Sequence, residues 1–458
     1  MGAAVACQLP TVSPGSVACV QGGPACPDGL TCVTQGDGGV FCDAPGSTVG
    51  STTSTSTGAS TSTGSTGVSA STGTTTASAA TTSGGATSAA ATSGSSTAGA
   101  TGATSAGSST SGTVCGAPVC VETLAGGASA GNVDGTGGPT GSARFNNPVG
   151  LAFDPTTANL FVADFQNNAI RIVAPGGATT TLAGDGTAGF VDGTGGPSGS
   201  TRFNGPKGVF AFGGQVYIGD WMNNRVRVAL ESGIDSGQTR TLTGNGTAAW
   251  ADGTGGPSGT AELDAPYGIV LNSQGTAYLC DEYNNRIRII LTDGGTLTLA
   301  GNGSAGWLDD AGSAAQFAQP RGLAIDAEGN LYVADWKNNR IRMVTPDGTT
   351  STLAGNGTPG FVDGTVGPQG EAEFNGPDGV ALDQSGNLYI ADSLNNRVRK
   401  FALDGGTVST LAGAGDAGFK DGPGPSAEFS DPAGIAVDGQ GNVYVSDRGN
   451  SRIRVISQ

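Results

Sequence analysis

The chain has 458 residues, of which 83 are glycine; only 12% of it is charged, and its formal net charge is −17. So much glycine disfavours long helices and suits short strands joined by tight turns. The acidic balance, with no Lys or Arg before Arg144, argues against nucleic acid or an anionic membrane surface as a partner. Histidine is absent, which excludes Ser–His triads, His-ligated zinc and imidazole acid–base catalysis.

Residues 1–43 are rich in cysteine. Five of the eight cysteines of the chain lie in its first 42 residues, a density typical of small disulfide-stapled modules in oxidising compartments. The segment has too little apolar content to support a core of its own. The sequence therefore predicts a mini-domain held by two bridges of open connectivity among Cys19, Cys26, Cys32 and Cys42.

The first seven residues suggest a route to the cell surface. Met1 to Ala6 lacks the basic region and the apolar core of a complete signal peptide. Ala4 to Cys7 resembles the end of a bacterial lipobox, so Cys7 is a candidate lipidation site and the true start codon is expected upstream. No stretch approaches the ~20 apolar residues of a membrane-spanning helix. We therefore expect an extracellular or bacterial cell-envelope protein, either secreted or lipid-anchored.

Residues 44–114 consist almost entirely of Ser, Thr, Gly and Ala. Such a segment buries too little apolar surface to offset the entropy of ordering, so it is predicted to be a disordered linker. For ~70 residues the random-coil estimate gives a root-mean-square reach of roughly 45 Å. The many Ser and Thr residues also permit O-glycosylation, which would stiffen the segment.

Residues 115–458 contain six similar units. Each unit begins with a Pro-x-Gly triplet, and successive triplets are 54 to 60 residues apart. The prolines of the triplets are Pro148, Pro206, Pro266, Pro320, Pro377 and Pro432. Each unit has four short alternating apolar runs, for example Gly322–Asp326, Asn330–Ala334, Arg340–Val344 and Thr350–Ala354. Four antiparallel strands per repeat are typical of a propeller blade, so this region is predicted to be an all-β, six-bladed β-propeller of four-stranded blades.

The phase of the repeat predicts how the ring closes. The sixth unit reaches only its third strand, Arg452–Ile456, before the sequence stops at Gln458. The Thr-Leu-Ala-Gly of a fourth strand stands instead at Thr123–Gly126, ahead of the first unit. We therefore expect Val121–Gly126 to complete the last blade.

The second half of each unit carries a recurring signature, N-N-R-[IV]-R after an Ala-Asp pair. The copies are ADFQNNAIR (163–171), GDWMNNRVR (219–227), CDEYNNRIR (280–288), ADWKNNRIR (334–342), ADSLNNRVR (391–399) and SDRGNSRIR (446–454). With the upstream P-x-G-[LIV], this signature resembles the NHL repeat over about residues 120–458. The units are longer than common NHL repeats because each has an extra G-x-G-x-x-G-[FW]-x-D-G loop. The resemblance implies a propeller that mostly mediates binding, although related six-bladed propellers include lactonases and lyases.

Two series of aspartates recur once per unit. The first follows the second strand: Asp164, Asp220, Asp281, Asp335, Asp392 and Asp447. An Asp beside an Arg pair such as Arg340 and Arg342 favours a structural charge-assisted bond over a ring of metal ligands. The second series lies in the extra loops: Asp134, Asp192, Asp252, Asp309, Asp363 and Asp421. Glycine-flanked aspartates there could coordinate Ca²⁺, but Asp-Gly turns explain most of them equally well.

Positions that differ from unit to unit are the better functional candidates. One series follows the first Asp series: Phe165, Trp221, Glu282, Trp336, Ser393 and Arg448. The other is the middle residue of Pro-x-Gly: Val149, Lys207, Tyr267, Arg321, Asp378 and Ala433. Phe165, Trp221, Tyr267 and Trp336 predict an aromatic sector with Lys207 and Arg321 nearby, a composition typical of ligand-binding faces. The alternative is that the indoles only pack on neighbouring loops.

The remaining cysteines lie in or next to the repeats. Cys115 and Cys120 are close enough for a local disulfide clasp where the linker meets the propeller. Cys280 replaces an alanine of other units and is expected to be a small buried thiol.

The sequence favours an extracellular or cell-surface binding or scaffold module that recognises a protein or glycan partner, with no catalytic residues and no required cofactor. The runner-up is a calcium-dependent hydrolase or lactonase of the six-bladed type. Against it, the channel strands mostly read Gly-Leu-Ala-Ile-Asp, with no singular Glu or Asn in one blade that breaks this pattern inward. The third hypothesis is a purely structural surface-repeat protein.

Overall fold

The computed structural model describes residues 115–458 throughout and, N-terminal to them, only the backbone of four short strands. These strands are β1 (Val5–Cys7), β2 (Val17–Gln21), β3 (Thr31–Thr34) and β4 (Val40–Asp43). They form an antiparallel sheet in the order β1-β2-β4-β3, whose register places Cys7 opposite Cys19 and Cys32 opposite Cys42. Cys26 and the predicted linker 44–114 lie outside the described residues, so the disulfide pairing of this segment and the disorder of the linker stay predictions.

Residues 115–458 form the predicted six-bladed β-propeller. Its strands before blade 4 are β5 (Cys120–Ala125), β6 (Pro148–Phe153), β7 (Leu160–Asp164), β8 (Ala169–Val173), β9 (Thr179–Ala183), β10 (Pro206–Phe212), β11 (Gln215–Asp220), β12 (Arg225–Leu230), β13 (Thr239–Thr243), β14 (Pro266–Leu271), β15 (Ala277–Asp281), β16 (Arg286–Ile290) and β17 (Thr296–Ala300). The rest are β18 (Pro320–Ile325), β19 (Leu331–Asp335), β20 (Arg340–Val344), β21 (Thr350–Ala354), β22 (Gly364–Thr365), β23 (Pro377–Leu382), β24 (Asn387–Asp392), β25 (Arg397–Ala402), β26 (Thr407–Ala412), β27 (Gly422–Pro423), β28 (Pro432–Val437), β29 (Val443–Asp447) and β30 (Arg452–Ser457).

Each of blades 1 to 4 is a four-stranded antiparallel sheet of consecutive strands, beginning at β6, β10, β14 and β18 respectively. Blade 5 runs from β23 to β26 and gains the two-residue strand β22 at its outer edge. Short 3₁₀ turns occur at Phe165–Asn167, Trp221–Asn223, Gly312–Ala314, Trp336–Asn338, Ser393–Asn395, Gly424–Ser426 and Arg448–Asn450. In the described part of the chain, no helix is both long enough and apolar enough to cross a membrane.

Blade 6 closes the ring as predicted. Strand β5 pairs antiparallel with β30, with Ala125 opposite Ile453 and Val121 opposite Ile456. A disulfide joins Cys115 to Cys120 at the start of this strand, and the two-residue strand β27 pairs with its other edge. The clasp expected from the cysteine spacing is therefore present beside the strand that closes the propeller.

The Pro-x-Gly glycines allow the inner strands to approach one another around the channel. A Cβ on Gly268 would clash with the backbone carbonyl oxygen of Arg321 in the next blade. The same clash recurs at each triplet, always with the backbone carbonyl of the middle Pro-x-Gly residue in the following blade. It also occurs where blade 6 meets blade 1, because a Cβ on Gly434 would clash with the carbonyl of Val149. Glycine is needed here because the neighbouring backbone occupies the space of a side chain.

The N-N-R-[IV]-R signature holds each blade together and joins it to the next. In blade 4, Asp335 accepts hydrogen bonds from the Ala318 amide, Asn338 and Arg342, each at 2.8 Å. Arg342 is fully buried and also donates to Asp309 of the extra loop at 2.6 Å. These contacts show that both aspartate series take part in the blade's own ionic network.

The second Asn of the signature bridges blades. Asn339 has a positive φ of 51°, which Asn tolerates better than most residues. Its side-chain oxygen accepts a hydrogen bond from the Gly376 amide of blade 5 at 2.9 Å. Blade 6 has Ser451 in this position, and its hydroxyl reaches the Asn147 amide of blade 1 only at 3.5 Å.

Candidate binding site at the channel mouth

The two variable series meet at one end of the central channel. Every inner strand has a register shift just after its proline, so the middle residue of each Pro-x-Gly lies in a bulge. A bulge redirects the side chain that it carries. The other series lies in the turn after each blade's second strand. We call the side chains that meet here the mouth cluster: Phe165, Lys207, Trp221, Tyr267, Glu282, Arg321, Trp336, Asp378 and Arg448.

Lys207 is the cation in the aromatic half of the mouth cluster. Its Nζ lies 3.6 Å from the ring centroid of Trp221, 4.7 Å from that of Tyr267 and 5.6 Å from that of Phe165. Its nearest carboxylate oxygen belongs to Glu282, at 3.9 Å. The residue is only 8% exposed, and burial lowers the pKa of Lys207 to about 8, although Glu282 opposes the shift.

Arg321 links the two buried carboxylates of the cluster. Its Nε donates to Glu282 at 2.9 Å, and its Nη1 donates to Asp378 at 3.0 Å. Its guanidinium also lies 3.7 Å from the ring centroid of Trp336. Because Glu282 and Asp378 are each 1% exposed, this arginine supplies the positive charge that two desolvated carboxylates require.

Asp378 is held from three sides. Tyr267 of blade 3 donates its hydroxyl to Asp378 of blade 5 at 2.7 Å, reaching past blade 4. Arg448 approaches the same carboxylate at 3.4 Å and binds Asp431 through two hydrogen bonds of 2.6 and 2.7 Å. Burial alone would raise the pKa of Asp378, but Arg321 and Arg448 outweigh it and lower the pKa.

The cluster supports a more exposed aromatic surface. Trp221 donates its indole N–H to Glu282 at 2.7 Å and contacts Phe165 and Tyr283 edge-on, with centroids 6.2 and 5.6 Å apart. Tyr283, Met222 and Leu394 are 46%, 51% and 54% exposed. All three immediately follow a member of the variable series, a regularity by which the sequence could have identified them.

All six predicted ligand-binding residues thus lie in one cluster, but in two roles. Phe165, Trp221 and Trp336 are partly exposed. Lys207, Tyr267 and Arg321 are largely enclosed and bonded to neighbours. Whether the cluster binds a ligand stays a prediction.

Two acidic residues outside the repeated aspartate series lie at the mouth. Glu282 follows the second strand of blade 3, and Asp378 lies in the inner strand of blade 5. Arg321 bridges the two carboxylates. Within residues 115–458, no group of three Asp, Glu or Cys side chains is arranged to hold a metal ion.

The candidate calcium ligands of the extra loops are engaged in each blade. In blade 1, Asp134 accepts from Arg171 at 2.6 Å and from the Thr181 hydroxyl at 2.9 Å.

The single thiol of the propeller, Cys280, is free and buried. Its burial raises the pKa of the thiol well above its usual range, so Cys280 is held as an unreactive neutral group.

Below the mouth lies a channel cavity of about 240 Å³. Its walls are apolar side chains of the inner strands, including Leu151, Phe210, Ile269 and Ile325, together with the Pro-x-Gly glycines. Lys207, Tyr267 and Asp378 line its end at the mouth.

The fold and its repeated ionic network define a class, the six-bladed β-propeller with four-stranded blades. The family model described as "NHL repeat" matches residues 317–342, 374–401 and 429–456, in blades 4, 5 and 6. The chain is therefore an NHL-repeat β-propeller protein, as the signature predicted.

Curated relatives share the propeller region. The chain is 31% identical over 326 residues to Protein SUPPRESSOR OF QUENCHING 1, chloroplastic, of Arabidopsis thaliana, covering 68% of this chain and 30% of that protein. It is 28% identical over 341 residues to NHL repeat-containing protein 2 of Homo sapiens, covering 68% of this chain and 46% of that protein. The chain spans less than half the length of either relative.

Solved structures show the same fold. One is a structural genomics protein of unknown function from Bacteroides thetaiotaomicron, with a TM-score of 0.56, 20% identity and coverage of 74% of this chain and 76% of that one. Another is an auxiliary nutrient binding protein from the same organism, with a TM-score of 0.54, 18% identity and the same coverage. At these identities the likeness concerns the fold alone.

Proposed function

We propose that this protein is an extracellular or cell-surface binding module that recognises a protein or glycan partner through its channel mouth. The observation that carries the proposal is the mouth cluster. There the inner positions of different blades hold different residues, and these residues interlock into one asymmetric network.

The blades are held by repeated contacts that do not involve the mouth cluster. Each blade has its own Asp–Arg–Asp network, as seen for Asp335, Arg342 and Asp309. Buried charges such as Glu282 and Asp378 are costly to desolvate, and apolar residues in their place are often neutral or stabilising. Their retention is explained if they hold Trp221 and Trp336 in fixed orientations for a partner, since rigid aromatic anchors lose little entropy on binding.

The N-terminal part of the chain supports display outside the cytoplasm. Cysteine-dense segments form disulfides in oxidising compartments, and a Ser/Thr/Gly/Ala-rich segment such as 44–114 suits a flexible stalk. Lipidation of Cys7 would anchor that stalk. The test is expression in a bacterium from a start codon upstream of Met1, where the gene has one, followed by the intact mass. A mass without added lipid contradicts the anchor.

The mouth is tested by comparing two tryptophan pairs. The full chain is immobilised and exposed to a glycan array and, with cross-linking and mass spectrometry, to surface proteins of the source cells. The wild type is compared with Trp221→Ala/Trp336→Ala and with Trp250→Ala/Trp307→Ala, whose tryptophans lie in the extra loops.

We expect at least one partner to lose about 30-fold or more in affinity with the Trp221/Trp336 variant, as hot-spot aromatics typically do. A protein partner should bind the Trp250/Trp307 variant like the wild type. The proposal is overturned if no partner discriminates in this way while both variants melt like the wild type.

A further inference from the structure

The extra loops carry a second set of aromatic side chains, separate from the mouth cluster. Five loops present one each, and each is between 38% and 54% exposed. These rim platforms are Phe190, Trp250, Trp307, Phe361 and Phe419. Large aromatic residues bury most of their area in typical folded proteins, so this repeated exposure calls for an explanation.

Each rim platform is stacked on the first arginine of the next signature. The distances from guanidinium carbon to ring centroid are 3.7 to 4.0 Å. The arginines are Arg225, Arg286, Arg340, Arg397 and Arg452. Trp250 and Trp307 also donate their indole N–H groups to Thr298 and Thr352 at 3.0 and 2.8 Å. The platforms are therefore fixed in orientation rather than loose on the surface.

Blade 1 lacks both members of the pair. Its signature has Ala169 in place of the arginine, and its loop has Asn132 in place of the aromatic residue. The two substitutions occur together, which indicates that the arginine and the ring form one unit. Blade 1 is an internal example of the fold without a platform.

A hydrogen-bond acceptor stands two residues after each platform. In blade 5 this is Asp363, whose side chain is 50% exposed although it binds Arg399 at 2.6 Å. The corresponding aspartates at the other four platforms are 31% to 40% exposed. A carboxylate has about four lone-pair positions. Asp363 accepts hydrogen bonds from Arg399 and from the amide and hydroxyl of Thr410, and Asp252 accepts from Arg288 and Thr298. Acceptor capacity therefore remains beside Phe361 and Trp250.

We propose that the rim platforms bind a neutral polysaccharide, one sugar unit per platform. The weakly positive C–H groups on one side of a sugar ring pack on the negative face of an aromatic ring, while the hydroxyl groups on its edge donate to the loop aspartate. An anionic chain is disfavoured because the protein's net charge of −17 repels anionic polymers. Five similar sites on one rigid ring allow a repetitive ligand to bind with avidity.

The small size of each site favours this occupant over a protein partner. The platforms lie one per loop, and no more than one exposed large apolar residue follows each of them. These neighbours are Val191 after Phe190, Leu308 after Trp307 and Val362 after Phe361. Stable protein interfaces need a contiguous buried area of about 800 Å² on each partner. Sugar units need only a small aromatic surface with adjacent polar groups, and the chain repeats that arrangement around the rim.

The test uses the full chain and affinity electrophoresis through gels that contain a soluble polysaccharide. The neutral probes are dextran, galactomannan, xyloglucan and mixed-linkage glucan, and alginate is the anionic comparison. We expect at least one neutral probe to retard the protein, and the triple variant Trp250→Ala/Trp307→Ala/Phe361→Ala to lower the apparent affinity more than tenfold. Single variants should each lower it by a few fold, because avidity falls stepwise. If the triple variant fails to melt like the wild type, Phe361→Leu in an otherwise intact chain replaces it.

The tryptophans provide an independent readout, since the chain has four, two at the mouth and two at the rim. With Trp221→Phe/Trp336→Phe only the rim tryptophans remain, and the retarding polysaccharide should change the fluorescence. With Trp250→Phe/Trp307→Phe it should still bind but leave the fluorescence unchanged. The inference is overturned if no neutral probe retards the wild type, if only alginate does, or if the mouth tryptophans respond instead. None of these results would affect partner binding at the mouth, which is judged by the Trp221/Trp336 variant.

Discussion

At the scale of single residues, the two arginines of the blade 5 signature have different environments. The second one, Arg399, is fully buried between Asp392 at 2.8 Å and Asp363 at 2.6 Å. The first one, Arg397, is only partly buried and stacks on the exposed ring of Phe361. The same residue type two positions apart therefore serves the core in one case and the surface in the other.

Replacing Arg399 by Met should destabilise the propeller by about 3 to 5 kcal/mol, because Asp392 would remain as an unpaired buried charge. Replacing Arg397 by Met should cost about 1 kcal/mol or less, since an exposed cation–π contact is weak. Urea unfolding of both variants measures the difference. Equal losses in the two variants would contradict the buried Asp–Arg–Asp network as the source of stability.

Lys207 predicts a pH dependence with a defined sign. Its folded pKa is about 8, below the usual value of about 10.4. Between these values the unfolded chain binds a proton that the folded chain does not. The stability of the wild type relative to Lys207→Met should therefore rise with pH, by at most about 1.4 kcal/mol per pH unit. Urea unfolding at pH 7.5, 8.5 and 9.5 measures it, with exposed Lys337→Met as control. A difference that does not change with pH would show that the Trp221 ring and Glu282 keep the ammonium fully charged.

At the scale of elements, the alternating apolar pattern predicted the strands, whereas the contacts of the extra loops became apparent only in the folded structure. In blade 4 the predicted strands Arg340–Val344 and Thr350–Ala354 have the observed bounds, and the other two differ by one or two residues. The extra loops, in contrast, add the short strands β22 and β27 and supply the aspartate that binds the buried arginine. The Pro-x-Gly triplet belongs to the same scale, because its glycine is dictated by the neighbouring blade.

Replacing Gly268 by Ala should destabilise the protein by about 1 to 3 kcal/mol or more, the usual cost of overpacking against a backbone that cannot yield. The added Cβ would clash with the Arg321 carbonyl. Gly439→Ala is the matched control, since nothing lies within 4 Å of its added Cβ and its φ is not positive. A thermal midpoint for Gly268→Ala as high as that of Gly439→Ala would contradict the close approach of inner strands.

At the scale of the whole molecule, one strand makes the ring continuous. Strand β5 comes from the N-terminal side of the repeats and pairs with β30 from the last unit. Without it, β30 would present an open sheet edge, which is prone to non-native pairing. Strand β5 thereby joins segments that are more than 300 residues apart in sequence, since Thr123 lies opposite Arg454. The Thr123 hydroxyl also donates a hydrogen bond to Asp421, which binds Arg454.

A chain that starts at residue 127 should lose cooperative melting or aggregate, because the last blade is then incomplete. A chain that starts at residue 115 should melt like the full-length protein, since residues 115–458 contain every strand of the propeller. Circular dichroism and light scattering on both chains measure this. Identical melting of the two shortened chains would show that closure by β5 adds nothing, and instability of both would contradict the domain boundary at 115.

The sequence by itself determined the propeller, the number of blades, the closing strand and the two variable series whose members lie at the channel mouth. It could do so because strand alternation and one-per-blade residues are local patterns repeated six times, and repetition separates signal from chance. Only the tertiary structure decided which of those residues meet. The hydrogen bond from Tyr267 to Asp378 joins blades 3 and 5, which are separated by blade 4. The three aromatic rings around Lys207 come from blades 1, 2 and 3. The curvature of the ring brings such residues together, and that curvature arises from packing between blades, which no single repeat encodes.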